Sequence, residues 1–316
     1  MSEKEEKKEN IMGTLGITRL IMKMSLPLMI SMLIPALYNI VDSMFVARVS
    51  ETALTAVSLA FPLQNLLIAF GVGTGVGMAS YLSRKLGEKD TETATKAAGN
   101  GITLAVITWV LFAILGLTIV KPFMALFTDD AELLGLSTSY SEIVMIFSFF
   151  MLLSMMNERI LQGTGDSFSS MLSQMTGAIT NIILDPVFIF VFKMGVNGAA
   201  IATVIGQAVG CAVSLYFVIR NKYIKIKPQH LKLEKRMVAS IYSVGAPTII
   251  TNSIGTVMTG AMNAILIGFS TTAVSVFSVY FKLQSFVFMP IFGLSSGMVP
   301  IIAYNYGARK KKRVMS

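Results

Sequence analysis

One cysteine, one histidine and one tryptophan serve all 316 residues of this sequence, and only 14% of its side chains are charged. The lone Cys211 excludes an intrachain disulfide and, sitting in an apolar run, reads as a small core thiol. The lone His230 excludes a His/Cys metal cluster and a Ser–His–Asp triad; it falls in a basic stretch and is expected at the surface. No catalytic constellation is visible, so neither an enzyme nor a cofactor is expected. Soluble domains carry roughly 25% charged residues, so about half the usual surface-forming material is missing. That shortage excludes a soluble globule as well as a disordered chain.

What the sequence has instead is apolar mass: 54% hydrophobic residues, 22 Met and 20 Phe, with a mean hydropathy of +0.70. A bilayer core needs about 20 apolar residues of helix. Eight stretches reach that length, approximately 20–47, 55–83, 98–120, 137–161, 169–192, 196–219, 237–269 and 273–305. None shows the ten-residue alternation of a membrane barrel. The expectation is an all-α membrane protein with about eight transmembrane helices, in which membrane lipid is the solvent.

The net charge of +9 is distributed by topology. Of the 26 Lys and Arg, 22 fall on one set of alternate segments, three on the other (Arg48, Lys121 and Lys193) and one, Lys282, inside a span. The positive-inside rule places the first set, and with it the N-terminus, in the cytoplasm. The basic charge is therefore no nucleic-acid patch.

The chain also repeats. Shifted by 220 residues without a gap, Ile21 meets Ile241, Pro27 meets Pro247, Gln64 meets Gln284, and Gly73, Gly77 and Gly87 meet Gly293, Gly297 and Gly307. Six spans separate partners, so the units insert in the same sense as parallel repeats, and two complete units would make about 440 residues. The reading is a tail (1–19), a complete six-helix N-terminal lobe (20–220), a basic linker (221–236) and the first two helices of a second lobe (237–316). On that arithmetic the chain reads as C-terminally truncated.

The candidate chemistry lies in carboxylates placed within spans. Asp42 falls in the first and Asp185 in the fifth, where an ionised group costs several kcal/mol unless it faces a bundle interior or wet cavity. Tyr38, Asn39 and Asp42 share helical spacing, and Asn181 lies one turn from Asp185 on the same face. Two such faces meeting would form an oxygen-rich site for H⁺ or for Na⁺ at Asp42, Asn181 and Asp185. Pro27 and Pro35 interrupt the first span and mark kinks; Pro186 follows Asp185. Gly71 to Gly77 imitate a nucleotide loop but lie inside a span, where their spacing lets helices pack closely. Lys282 either snorkels outward or sets the charge of a central cavity. Glu158 and Arg159 are expected to pair near the inner end of the fourth span, and Glu142 to be interfacial.

Asn39-Ile40-Val41-Asp42-Ser43-Met44-Phe45-Val46, Gln162-Gly163-Thr164-Gly165-Asp166, Asn181-Ile182-Ile183-Leu184-Asp185-Pro186 and Tyr304-Asn305-Tyr306-Gly307-Ala308 resemble segments of the multidrug and toxic compound extrusion family, in its prokaryotic branch. The resemblance spans nearly the whole chain. It implies two six-helix lobes around a cavity and export of cationic, lipophilic compounds by alternating access, driven by inward H⁺ or Na⁺. Family ion-coupling positions fall on Asp42, Asn181, Asp185 and Thr203, and the bending proline on Pro27. Met262, the repeat partner of Asp42, shows that the acid is not duplicated. The alternatives are a lipid-linked oligosaccharide flippase of the same superfamily, which would favour a cationic cavity, and an inactive fragment.

Overall fold

The computed structural model describes the backbone of residues 10–267 and 271–315, with side chains throughout these except at Asn39 and at much of 256–286. Every regular element among them is helical. A single turn, α1 (Ile11–Thr14), precedes α2 (Ile17–Ala47), α3 (Glu51–Gly87), α4 (Thr91–Thr118), a short α5 (Val120–Met124), α6 (Ala131–Ile146) and α7 (Phe149–Gly163). Then come α8 (Ser167–Pro186), a π-turn (Val187–Val191), α9 (Gly195–Ile219), α10 (Lys235–Ile267), α11 (Thr271–Gly307) and α12 (Lys311–Val314).

The helices start where side chains satisfy their free N–H groups. Ser50 caps α3 by accepting from the Ala53 amide at 2.9 Å, Asp90 caps α4, Asp130 caps α6 and Asp166 caps α8; each such cap stabilises its helix by about 1 kcal/mol. Among the described residues six helices are long and apolar enough to cross a membrane, and α6 with α7 forms a seventh crossing bent by 46°. The eighth expected crossing is α10, 33 residues long and carrying Thr248, Thr251 and Asn252 in its middle. Large side chains such as Leu37, Ile40, Ile114 and Leu117 stay exposed on these helices, the face that meets acyl chains.

The bend in the fourth crossing has a local cause. Ser148 turns its hydroxyl back onto the Met145 carbonyl at 2.7 Å, a bond that competes with the helical ladder. The carbonyl of Ile146 is taken up by the indole N–H of Trp109 at 2.8 Å, and the same indole packs edge-on against Phe149. The single tryptophan thus stabilises the break.

The sequence repeat is a repeat of structure. Adding 220 to the bounds of α3 gives the bounds of α11, and the end of α2 maps onto the end of α10. The units cross over: α3 packs on α10, and α2 on α11. Glycines make both crossings close. A Cβ at Gly73 or Gly77 would run into Ile249, Gly245 and Ile241, and one at Gly293 or Gly297 into Met29, Leu28 and Ser25. Subtracting 220 from the first set gives 29, 25 and 21, so the two interfaces are pseudo-symmetric.

At the Lys/Arg-rich end the units are tied as well as packed. Residues 10–19, expected within a solvated tail, include Asn10 and Met12, which are buried. Asn10 donates to the Thr164 carbonyl at 2.8 Å, Asn305 donates to the Met12 carbonyl at 2.9 Å, and Arg313 reaches the carbonyls of Met12 and Leu15. The linker after α9 is likewise docked. Asn100 on α4 donates to the Lys232 carbonyl and accepts from the Glu234 amide. His230, expected at the surface, is buried instead: its backbone lies on Gly99 and its ring accepts from the Lys227 amide.

Candidate functional site

The acids meet. Asp42 on α2 is 6% exposed and Asp185 on α8 fully buried, because α2 packs directly on α8. Their carboxyl groups come close enough to act on each other electrostatically. Asn181, one turn below Asp185, donates to its Oδ1 at 3.2 Å and to the Thr203 hydroxyl of α9 at 3.4 Å. Asp42, Asn181, Asp185 and Thr203 therefore form one cluster from three helices. Tyr38 faces both carboxylates electrostatically. The side chains of Asn39 and Lys282, the other cavity candidates, lie outside the described residues.

Two residues join this site without a sequence signal. Tyr140 on α6 is buried near Asp42 and Asp185, and its hydroxyl accepts from the Gln64 amide of α3 at 3.4 Å. Gln64 stands out only as half of a repeat pair; Tyr140 sits in a stretch with no periodic polar pattern.

Local chain geometry holds the acids in place. Pro186 has no N–H, so the helical bond to the Ile182 carbonyl cannot form, and the chain widens at once into the π-turn Val187–Val191. Phe190 on that turn packs edge-on against Phe45 of α2, ring centroids 6.1 Å apart. One turn from Asp42, Phe45 thus couples α2 to the segment following Asp185. Pro27 and Pro35 lie within α2, which remains one continuous helix past both.

The cluster is short of partners. Asp42 Oδ1, Asp185 Oδ2 and Asn181 Oδ1 are buried without a hydrogen bond. Two ionised carboxylates facing each other away from water repel, and a cation between them offsets both that repulsion and the missing bonds. Every polar atom on offer apart from the Asn181 amide nitrogen is oxygen, which suits H⁺ or a hard cation. Among the described residues no group of three His, Cys, Asp or Glu gathers as a metal centre.

Other expected sites fall elsewhere. Glu158 and Arg159 do not pair: Ser154 donates to Glu158 at 3.2 Å, and Arg159 donates to Gln162 at 2.9 Å. Glu142 lines a surface hollow with Lys121 and Thr138. A larger cavity, about 470 Å³, opens between α3 and α10 and is lined by Phe70, Ile249, Ile250, Ser253, Ile254 and Met258.

A helical membrane protein with duplicated units and a buried acid pair defines a class of multi-span transporter folds, and comparison with known proteins agrees. A family model, MatE, matches residues 27–187 and 247–316. The chain belongs to the MatE family. It is similar to the multidrug export protein MepA of Staphylococcus haemolyticus, 29% identical over 299 residues that cover 94% of this chain and 66% of that one. MepA of Staphylococcus aureus strain NCTC 8325 is 27% identical over 296 residues, covering 93% and 66%. The chain thus spans just under two thirds of the length of these relatives.

Among solved structures, the outward-facing conformation of a multidrug resistance MATE family transporter superposes with a TM-score of 0.92 at 27% identity, covering 98% of this chain and 69% of that one. Of two crystal structures of MATE, the straight conformation gives 0.91 (27% identity, 98% and 69% covered) and the bent conformation 0.85 (27% identity, 95% and 68% covered).

Proposed function

We propose that the protein is a cation-coupled antiporter of the cell membrane, N-terminus in the cytoplasm, exporting lipophilic cationic compounds by alternating access in exchange for H⁺ or Na⁺. The observation that carries this reading is the pair Asp42 and Asp185, buried face to face with unpartnered oxygens. A ligand shifts a two-state equilibrium only by its differential affinity for the two states. The acid pair supplies that difference, because a cation seated between the carboxylates removes their repulsion in one arrangement of α2 against α8. The Phe45 and Phe190 contact passes the change from the π-turn to α2. The lining of the α3/α10 cavity, aliphatic and aromatic apart from Ser253, suits lipophilic molecules and includes no cation for a pyrophosphate among the described residues, which disfavours a lipid-linked oligosaccharide as cargo. Chemistry on the substrate has no place in this reading, and the ion is the only cofactor. Dye efflux from proteoliposomes, driven by an imposed H⁺ or Na⁺ gradient, tests it: wild type is expected to couple efflux to one gradient and Asp42→Asn to lose the coupling. Coupled efflux in Asp42→Asn would remove the mechanism.

A further inference from the structure

The polar groups inside the first unit do not end at the acid pair. On α8, Ser170, Gln174, Asn181 and Asp185 recur at helical spacing on one stripe, and on α9 so do Thr203, Gln207, Cys211 and Ser214. On α7, Ser154, Asn157, Glu158 and Gln162 face the same interior. The three stripes converge: Ser154 Oγ and the Ser173 carbonyl both lie against Gly210, Asn157 donates to Ser214 at 3.2 Å, and Gln162 donates to Ser170 at 2.9 Å. From Asp185 to Ser170 the stripe covers about 22 Å at 1.5 Å per residue, running from the acid pair toward the Lys/Arg-rich face.

Polar residues that only bind helices together satisfy one another across the interface. These do not. Asn157 Oδ1, Ser167 Oγ, Gln174 Oε1, Asn181 Oδ1, Asp185 Oδ2 and Gln207 Oε1 are all buried without a protein partner. They are six of the ten such atoms among the described residues, and all six lie on α7, α8 or α9. Buried polar groups in such number call for water, which needs two to four polar partners and finds them here. In the middle of the seam sits Glu158, a carboxyl inside a membrane helix whose one hydrogen bond is from Ser154. The charged or titratable groups near it are Arg159 on its own helix, turned to Gln162, and Cys211 on α9.

We infer that this seam is a hydrated proton path, with Glu158 as a second proton station between the acid pair and the Lys/Arg-rich face. A proton leaving the pair passes to a water, along the oxygens of Gln207 and Gln174, and onto the Glu158 carboxylate. From there it goes to bulk water past Asn157, Gln162 and Ser170. Each hop breaks one O–H bond and forms another, and nothing is oxidised or reduced. The inference rests on the acid pair being the coupling site and adds the route by which its proton reaches one side only.

The test is time-resolved infrared difference spectroscopy on proteoliposomes with the Lys/Arg-rich face outward, following the carboxyl bands after an external pH step. Wild type is expected to show the bands of the pair and a separate band that Glu158→Gln deletes. The pair is expected to keep its equilibrium titration but respond more slowly, by about a hundredfold in Glu158→Gln, the scale of losing a positioned proton-transfer group. Gln207→Leu and Gln174→Leu should slow it less, and Gln207→Asn should restore the rate, which a packing defect would not allow. Unchanged rates in Glu158→Gln and Gln207→Leu would overturn the path while leaving the pair as coupling site. Absence of titrating pair bands in wild type would overturn the path and leave Na⁺ as the ion exchanged at the pair.

Discussion

The helices α2 and α3 and their counterparts α10 and α11 share a backbone plan and differ in chemistry. Both pairs carry the proline at 27 or 247 and the glycines at 73 and 77 or 293 and 297, and the glycines stand at the close crossings. Where α2 presents Asp42, however, α10 presents Met262, and where α2 presents Tyr38, α10 presents Met258. The register of small residues and prolines has been kept because helices can approach only where side chains are absent, whereas one acid pair is enough to sense a cation. Under the proposed function, the acid pair of the first unit is where an ion-dependent motion starts, and the packing of α2 on α11 carries it to the second.

Breaking the shared part should have the largest effect. A Cβ at Gly77 collides with the backbone carbonyl of Ile241, which cannot move without moving α10. Gly77→Ala is expected to cost about 3 kcal/mol, the upper range for forcing one extra carbon into a packed interface, and to lower the thermal midpoint of the detergent-solubilised protein accordingly. Gly297→Ala meets the Ser25 hydroxyl and, at 2.9 Å, its Cα, and should cost less because its nearest backbone contact is longer than that of Gly77 and the hydroxyl can rotate. Gly16→Ala, with open space around it, should leave the midpoint unchanged. Equal losses at 77 and 16 would refute the collision account.

Breaking the unshared part should leave stability and remove coupling. Asp42→Asn is nearly isosteric, so the folded protein is expected to persist while gradient-driven efflux falls to background. Placing an acid at the mirror position, Asp42→Asn with Met262→Asp, is expected not to restore it, because Asn181, Asp185 and Thr203 stand on α8 and α9, which pack on α2. Restored coupling would show that position along the helix matters more than the surrounding cluster.

How far these features can be read from residues alone depends on whether side chains or backbone carry them. The spans, the repeat and the meeting of Asp42 with Asp185 are legible because apolar runs, a fixed 220-residue register and misplaced charges are properties of residue types. The π-turn after Pro186, the buried His230 and the docking of Asn10 are not, since each depends on which backbone carbonyl or amide happens to be free. The Lys- and Glu-rich start of the chain suggests a solvated tail through its composition, yet Met12 is held by its main-chain carbonyl and Asn10 by its side-chain amide on the Thr164 carbonyl, partners that composition does not encode.

That tie distinguishes the second unit from the first at the basic face. Arg313 donates to the carbonyls of Met12 and Leu15 and to Asn305 Oδ1, whereas the Lys232 carbonyl, the counterpart of Met12's, is taken by Asn100 rather than by Thr93, the counterpart of Arg313. Arg313→Ala strips charge-assisted bonds from partly buried carbonyls, a loss of about 1–3 kcal/mol. Hydrogen exchange of the amides at 11–16 should accelerate while that of the α2 core stays protected. Unaltered exchange at 11–16 would mean that the bonds of Asn10, Asn305 and Lys310 hold the segment without Arg313.

The smallest effect is expected from the charged turn that ends α3, which α11 lacks because Ala308 stands where Glu88 does. Lys85 at 2.6 Å, and after it Arg84 at 3.0 Å, hold the Glu88 carboxyl below its usual range. A carboxyl with a depressed folded value contributes stability that is present above the ordinary glutamate range and lost as pH falls through the depressed value. Solvent screens such a pair, so Glu88→Gln should cost only a few tenths of a kcal/mol at neutral pH. Amide exchange in the turn 85–91 should quicken in the variant at neutral pH, and the difference from wild type should vanish in acid, where Glu88 is itself neutral. A difference that persisted in acid would assign the effect to packing rather than charge.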